Sequence, residues 1–142
     1  DGKLEGVVRE YYPNGVMRSQ LHYKNHVRDG QCEVFMENGK PMISWEYKNG
    51  NRDGINKIYY DNGNVHFEQK YKDDKRNGIS MEYYMSGALK AEHLYRNGVR
   101  EGTTKRYYEN GKLQSVETYQ DGHLIEKQDY NQEGNLVTNT TQ

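Results

Sequence analysis

Residues 107–122, YYENGKLQSVETYQDG, hold two short runs joined by Asn110-Gly111 and closed by Asp121-Gly122. Both dipeptides tolerate positive φ and favour the type I′ turn, whose twist suits a β-hairpin. The runs between them are rich in aromatic and β-branched residues, as strands are. Nearly the same phrase stands at 11–26, 59–74 and 83–98. The fold is decided by that repetition.

Gly6, Gly30, Gly54, Gly78 and Gly102 recur every 24 residues. With each as position 0, position 5 holds Tyr11, Phe35, Tyr59, Tyr83 and Tyr107. Position 6 holds Tyr12, Met36, Tyr60, Tyr84 and Tyr108, and position 17 holds Tyr23, Tyr47, Tyr71, Tyr95 and Tyr119. Of the 15 glycines, 11 follow Asn or Asp, so nearly every one closes a turn. No stretch keeps the three-to-four spacing of an amphipathic helix. The reading is all-β: an elongated, single-layer antiparallel meander of about ten strands, built from 24-residue hairpin repeats. At about 4.8 Å per strand such a ribbon is roughly 50 Å across.

The chain forms one repeat domain, 1–142. Residues 1–5 (DGKLE) match the end of a repeat; 6–29, 30–53, 54–77, 78–101 and 102–125 are full units; 126–142 is a partial unit, one residue short, ending in the polar tail TNTTQ. Starting in mid-repeat, at Asp1 rather than Met, suggests an upstream segment that was removed. Localisation stays open between cytoplasmic and exported or cell-envelope. The truncated edge makes edge-to-edge self-association a further expectation.

Composition agrees with a thin sheet. Only 47 of 142 residues belong to the apolar set with glycine counted, and Leu, Ile, Val and Phe number 23. A thick dry core is out of reach at that level. Fourteen tyrosines and a net charge of −1 argue against disorder. Tyrosine buries a ring while its hydroxyl stays wet. Near-neutrality also argues against nucleic acid as a partner.

A two-residue turn would place position 6 opposite 11, position 4 opposite 13 and position 0 opposite 17. Met17, Pro41, Val65, Leu89 and Leu113 would then lie beneath the second tyrosine of each pair, as Leu113 beneath Tyr108, on the better-buried face. The tyrosine at 17 would cover the glycine at 0. The residues at 5 (Tyr11, Phe35, Tyr59, Tyr83, Tyr107) would stand on the wetter face, where tyrosine is a low-entropy interface anchor. They are the candidate protein-binding residues. Arg28, Arg52, Arg76 and Arg100 recur at position 22, followed by Asp29, Asp53, Asn77 and Glu101. They form a candidate basic rim, with turn-stabilising ion pairs to those acids as the plainer reading.

No catalytic, cofactor or metal constellation stands out. His22, His26, His66, His93 and His123 read as solvated side chains. Asp73 and Asp74 lack the alternating acids of a calcium loop and read as turn chemistry. Cys32, the single cysteine, reads as a structural thiol. A single-layer sheet also offers no cleft of the usual enzymatic kind.

The phrases YYPNG, YYDNG and YYENG, with YKNGNRDG and YRNGVREG between them, resemble the bacterial variant of the MORN repeat over residues 1–134. The sequence departs from that pattern at His26, Met36, Asp74 and Ser86. The resemblance implies stacked hairpins and a non-catalytic scaffold that mediates protein–protein interaction. Members of the variant are often filed as antitoxins, which implies a toxin as partner and an antitoxin or immunity type of role. Others occur in exported or surface proteins of host-associated bacteria, and eukaryotic MORN modules are linked to membrane attachment and assembly. The alternative is therefore a membrane-surface or adhesive scaffold that binds anionic lipid or a host partner through the arginine rim.

Overall fold

A computed structural model describes residues 4–141; residues 1–3 of the opening DGKLE, and Gln142 of the tail, lie outside it. The first hairpin pairs β1 (Gly6–Tyr11) with β2 (Met17–Lys24), and the two-residue strand β3 (Val27–Arg28) folds back on the end of β2. The unit then recurs as β4 (Gly30–Phe35), β5 (Pro41–Lys48) and β6 (Asn51–Arg52), and as β7 (Gly54–Tyr59), β8 (Val65–Lys72) and β9 (Lys75–Arg76). It recurs again as β10 (Gly78–Tyr83), β11 (Leu89–Arg96) and β12 (Val99–Arg100), then as β13 (Gly102–Tyr107) and β14 (Leu113–Gln120). Strands β15 (His123–Tyr130) and β16 (Leu136–Thr141) finish the chain.

The described residues form one antiparallel sheet with no helix, an open meander from β1 to β16. It has 16 strands rather than about ten. Four of the added strands are the two-residue pieces β3, β6, β9 and β12. Two more come from the last unit, whose tail continues the ladder through Thr138–Asp129 and Thr140–Lys127.

The two turns exchange the roles that their sequences suggest. Between β1 and β2 the Gly15 N–H donates to the Tyr12 carbonyl, and the Tyr12 N–H to the Val16 carbonyl. This is a three-residue loop, Pro13-Asn14-Gly15, with Gly15 alone at positive φ (+88°). Such a loop is a type I turn followed by a left-handed residue. The same bonds close the other hairpins at Gly39, Gly63, Gly87, Gly111 and Gly134. The type I′ turns lie instead between β2 and β3 and at the matching sites, with positive φ at Asn49-Gly50, Asn97-Gly98 and Asp121-Gly122. Asn25-His26 and Asp73-Asp74 take the same shape without glycine (φ 51° and 71°, 49° and 68°). Asn and Asp accept this region at low cost; His26 is the exception.

The longer loop changes the register next to it. Positions 0 to 4 pair with 17 to 13 as expected, from Gly102↔Tyr119 to Arg106↔Ser115. A bulge then places Tyr107, not Tyr108, opposite Leu113. The shift is identical in the other hairpins, as in Tyr59↔Val65 and Tyr83↔Leu89. The apolar residue at position 11 therefore backs the first tyrosine, and the expected packing beneath the second is overturned. The extra residue at position 12 turns onto the other face, where Arg18 meets Glu10 and Lys90 lies 3.5 Å from Glu82.

A second irregularity falls at the repeat glycine. Tyr23 pairs with Arg28, whereas Ser19 pairs with Val34, so two more residues are spent on one side of the ladder. Gly78 sits in the equivalent bend at φ +101°, beyond the left-handed well of other residues. Tyr95 does stand opposite it, but backbone conformation is what demands glycine. Bulges bend a strand and increase its twist. With two per unit, one face of the ribbon closes in. The last unit lacks one residue and the glycine; between β14 and β15 the register slips by only one, at Thr118/Tyr119.

Candidate functional site

The closed-in face carries positions 2, 4, 13, 15 and 17, and most of the buried side chains, Cys32 and Ala91 among them. A groove of about 500 Å³ crosses it from Trp45 on β5 to Arg106 on β13. The single-layer sheet therefore does form a cleft, because the bulges bend it.

Tyrosine and arginine form one wall. The Arg28 guanidinium lies 5.4 Å from the Tyr47 ring centre, Arg52 4.5 Å from Tyr71, Arg76 5.3 Å from Tyr95 and Arg100 5.2 Å from Tyr119. Arg100 also donates to the hydroxyls of Tyr95 (3.4 Å) and Tyr119 (3.0 Å), and Arg76 to those of Tyr71 and Tyr95. Each cation–π contact is worth about 0.5–1 kcal/mol at such partly exposed sites. Hydrogen bonds donated to the tyrosine hydroxyls hold Arg28, Arg76 and Arg100 above the ordinary arginine range, against burial. Burial pushes the Tyr95 phenol up, but the Arg100 and Arg76 contacts outweigh it and leave it low.

The four position-22 arginines each face a tyrosine of the next hairpin rather than the acid that follows them. Those acids and amides serve the next turn: Asp29 accepts the Asn49 N–H, Asn77 that of Asn97, and Glu101 that of Asp121. Asp74 accepts the Arg52 N–H at 2.8 Å and lies 3.6 Å from its guanidinium, so this stretch is turn chemistry, as expected. Arg76 and Arg100 have no carboxylate partner within 4 Å among the described residues.

The groove floor changes along the ribbon. Cross-strand pairs at positions 2 and 15 run Val8↔Leu21, Cys32↔Trp45, Asn56↔Gln69, Ser80↔His93 and Thr104↔Glu117. Apolar pairs give way to polar ones after the second hairpin. His93, read as solvated from sequence, is only 9% exposed, and Ser80 4%. Burial, with Arg100 and Arg106 nearby, holds the imidazole pKa below its usual value, against the pull of Glu82 and Glu117. Ser80 Oγ and His93 Nδ1 have no hydrogen-bond partner among the described residues. Such orphaned groups each cost about 1–3 kcal/mol. Glu117 is satisfied, by Arg106 at 2.7 Å and the Tyr119 hydroxyl at 2.9 Å.

On the opposite face stand the position-5 residues. Tyr11 is 58% exposed, while Phe35, Tyr59, Tyr83 and Tyr107 are half-buried beside position 11. The Tyr83 hydroxyl donates to Met81 Sδ. Those of Tyr59 and Tyr107 have no partner among the described residues.

The second tyrosines link one hairpin to the next. Tyr12, Tyr60, Tyr84 and Tyr108 donate to the carbonyls of Phe35, Tyr83, Tyr107 and Tyr130, at 2.6–2.7 Å. Met36 cannot, which leaves one gap. Asn14, Asn62 and Asn110 reach the following loop in the same way. At the other rim the N–H groups of Gly50, Asp74, Gly98 and Gly122 donate to the carbonyls of Arg28, Arg52, Arg76 and Arg100. The recurring letters of the repeat are thus the groups that join units.

The model of the MORN repeat variant family matches residues 4–25, 28–49, 52–73 and 100–121, more than half of the chain. The chain belongs to that family. Its unit at 76–97 is unmatched, although it folds as the same hairpin; it is the one that carries Ser86 in place of the turn asparagine. No curated protein matches the chain. MORN repeats are generally non-catalytic scaffolds, often for binding, and that is the role this family supports.

Proposed function

We propose that this MORN repeat variant captures a partner protein on the face that carries Tyr11, Phe35, Tyr59, Tyr83 and Tyr107, in an antitoxin or immunity type of role. The observation that carries the reading is the regular row of rings, half-buried from Phe35 to Tyr107 and each backed by an apolar residue across the strand. The hydroxyls of Tyr59 and Tyr107, without a partner among the described residues, add donors to apolar area, the combination that anchors interfaces. The toxin as partner rests on the resemblance of the repeat. Pull-down from the source organism with mass spectrometry, repeated with the Tyr59→Ala/Tyr83→Ala variant, tests the face. The variant is expected to fold and to lose the partner; a folded variant that captures it undiminished removes this face.

A second reading, adhesion to anionic lipid or a host surface, draws on Arg76 and Arg100, which have no carboxylate partner among the described residues. It expects salt-sensitive flotation with anionic liposomes. Flotation that salt leaves unchanged, or none, rejects it.

A further inference from the structure

The groove lies on the face opposite the proposed protein-binding tyrosines, so its occupant is a separate question. One end is apolar, formed by Trp45, Ile58 and Phe67. The other gathers Arg76, Arg100 and Arg106 around the Ser80↔His93 pair. Of these charges, Arg106 is neutralised by Glu117; Glu82, also in the lining, lies 3.5 Å from Lys90 and 3.9 Å from His93 Nε2. Arg76 and Arg100 are left as the uncompensated charge of the groove, held in place by tyrosine hydroxyls. Beneath them lie two deeply buried polar atoms, Ser80 Oγ and His93 Nδ1, with no hydrogen-bond partner among the described residues. A hydroxyl and an imidazole nitrogen that can carry the proton are donors suited to an oxyanion. The volume, about 500 Å³, falls in the range of small-molecule sites.

We propose that this groove binds a small soluble ligand with one carboxylate or phosphate group on an aromatic body. The anionic group lies between Arg76 and Arg100 above the Ser80–His93 pair, and the ring rests against Phe67 and Trp45. Charge-assisted hydrogen bonds fix the anion, and apolar burial supplies the remaining affinity.

Trp45 is the single tryptophan and sits in the groove, so its fluorescence reports occupancy. Phenyl phosphate, titrated into the protein, is expected to give saturable changes in Trp45 emission and in the His93 imidazole nitrogen shifts, with Kd of about 1 mM or below. Inorganic phosphate, lacking the ring, and benzyl alcohol, lacking the charge, should each bind roughly tenfold more weakly or not at all. Ser80→Ala and Arg100→Gln should each weaken phenyl phosphate roughly tenfold. Ser80→Ala removes one oxygen and leaves the strand intact, so it tests the site even if Arg100→Gln destabilises the wall. Vesicles of phosphatidylcholine with phosphatidylserine separate a lipid surface from a soluble ligand. Vesicle binding without saturable phenyl phosphate binding overturns the proposal. So do the absence of any response at Trp45 and His93, and unchanged binding by the folded Ser80→Ala protein.

Discussion

The Tyr84 hydroxyl donates to the carbonyl of Tyr107, 2.7 Å away in the next hairpin. A side chain that reads in sequence as packing material is thus also a tie between repeats. Its ring keeps to the grooved face, where Lys90 lies over it at 5.4 Å.

Tyr84→Phe keeps the ring and removes the tie, so it should cost about 1 kcal/mol, or a few degrees in Tm. Met36→Tyr is the converse experiment. It places a hydroxyl within reach of the Tyr59 carbonyl at the one interior seam that lacks it, and should stabilise by about 0.5–1 kcal/mol. Urea unfolding of both variants checks the pair; equal stability of Tyr84→Phe and wild type would show that water replaces the bond.

Gly78→Ala should destabilise by more than about 1 kcal/mol, because φ +101° is strained for any side chain and the new methyl meets Lys70 at 3.4 Å. Thermal unfolding measures it. A neutral outcome would mean that the bend has relaxed.

Removing Arg100 strips Tyr95 of the hydrogen bond and charge that do most to offset its burial. In Arg100→Gln the Tyr95 phenol should titrate at higher pH than in wild type, seen by ultraviolet or NMR titration of the assigned ring.

His93 is harder to protonate in the folded chain than in the unfolded one, chiefly through burial. The unfolded state therefore binds the proton first, and stability should fall as pH drops below about 6.5, the unfolded value. His93→Gln should flatten that part of the profile. Glu117 is also held low, since the Arg106 and Tyr119 contacts outweigh its burial. Its contribution is present above about pH 4.3, the unfolded value, and is lost as pH falls towards the lower folded one. Denaturant midpoints across pH for the two single variants separate the windows.

The 24-residue frame, the hairpins and the pairing of Gly102 with Tyr119 were legible because each depends on residues that recur. The turn types were not. Pro13-Asn14-Gly15 and Asn49-Gly50 both contain Asn-Gly, and only the bond from Gly15 back to Tyr12 distinguishes a three-residue loop. That one extra residue moved Leu113 from Tyr108 to Tyr107. The groove was hidden for the opposite reason. Its floor occupies the positions that vary between repeats, and averaging the units discards them. The signal was present in the paired change from Cys32 and Trp45 to Ser80 and His93, two residues that exchange character together across one rung. His93 looked solvated because a thin sheet was expected to have no interior.

The ties between units have a mechanical corollary. Among the described residues each strand touches little beyond its neighbours in the ladder, so pulling on the two ends of the sheet loads one seam at a time. It should yield hairpin by hairpin, in steps of 24 residues, as a strip of perforated paper tears. The perforation between Met36 and Tyr59 should part before those that a tyrosine hydroxyl spans.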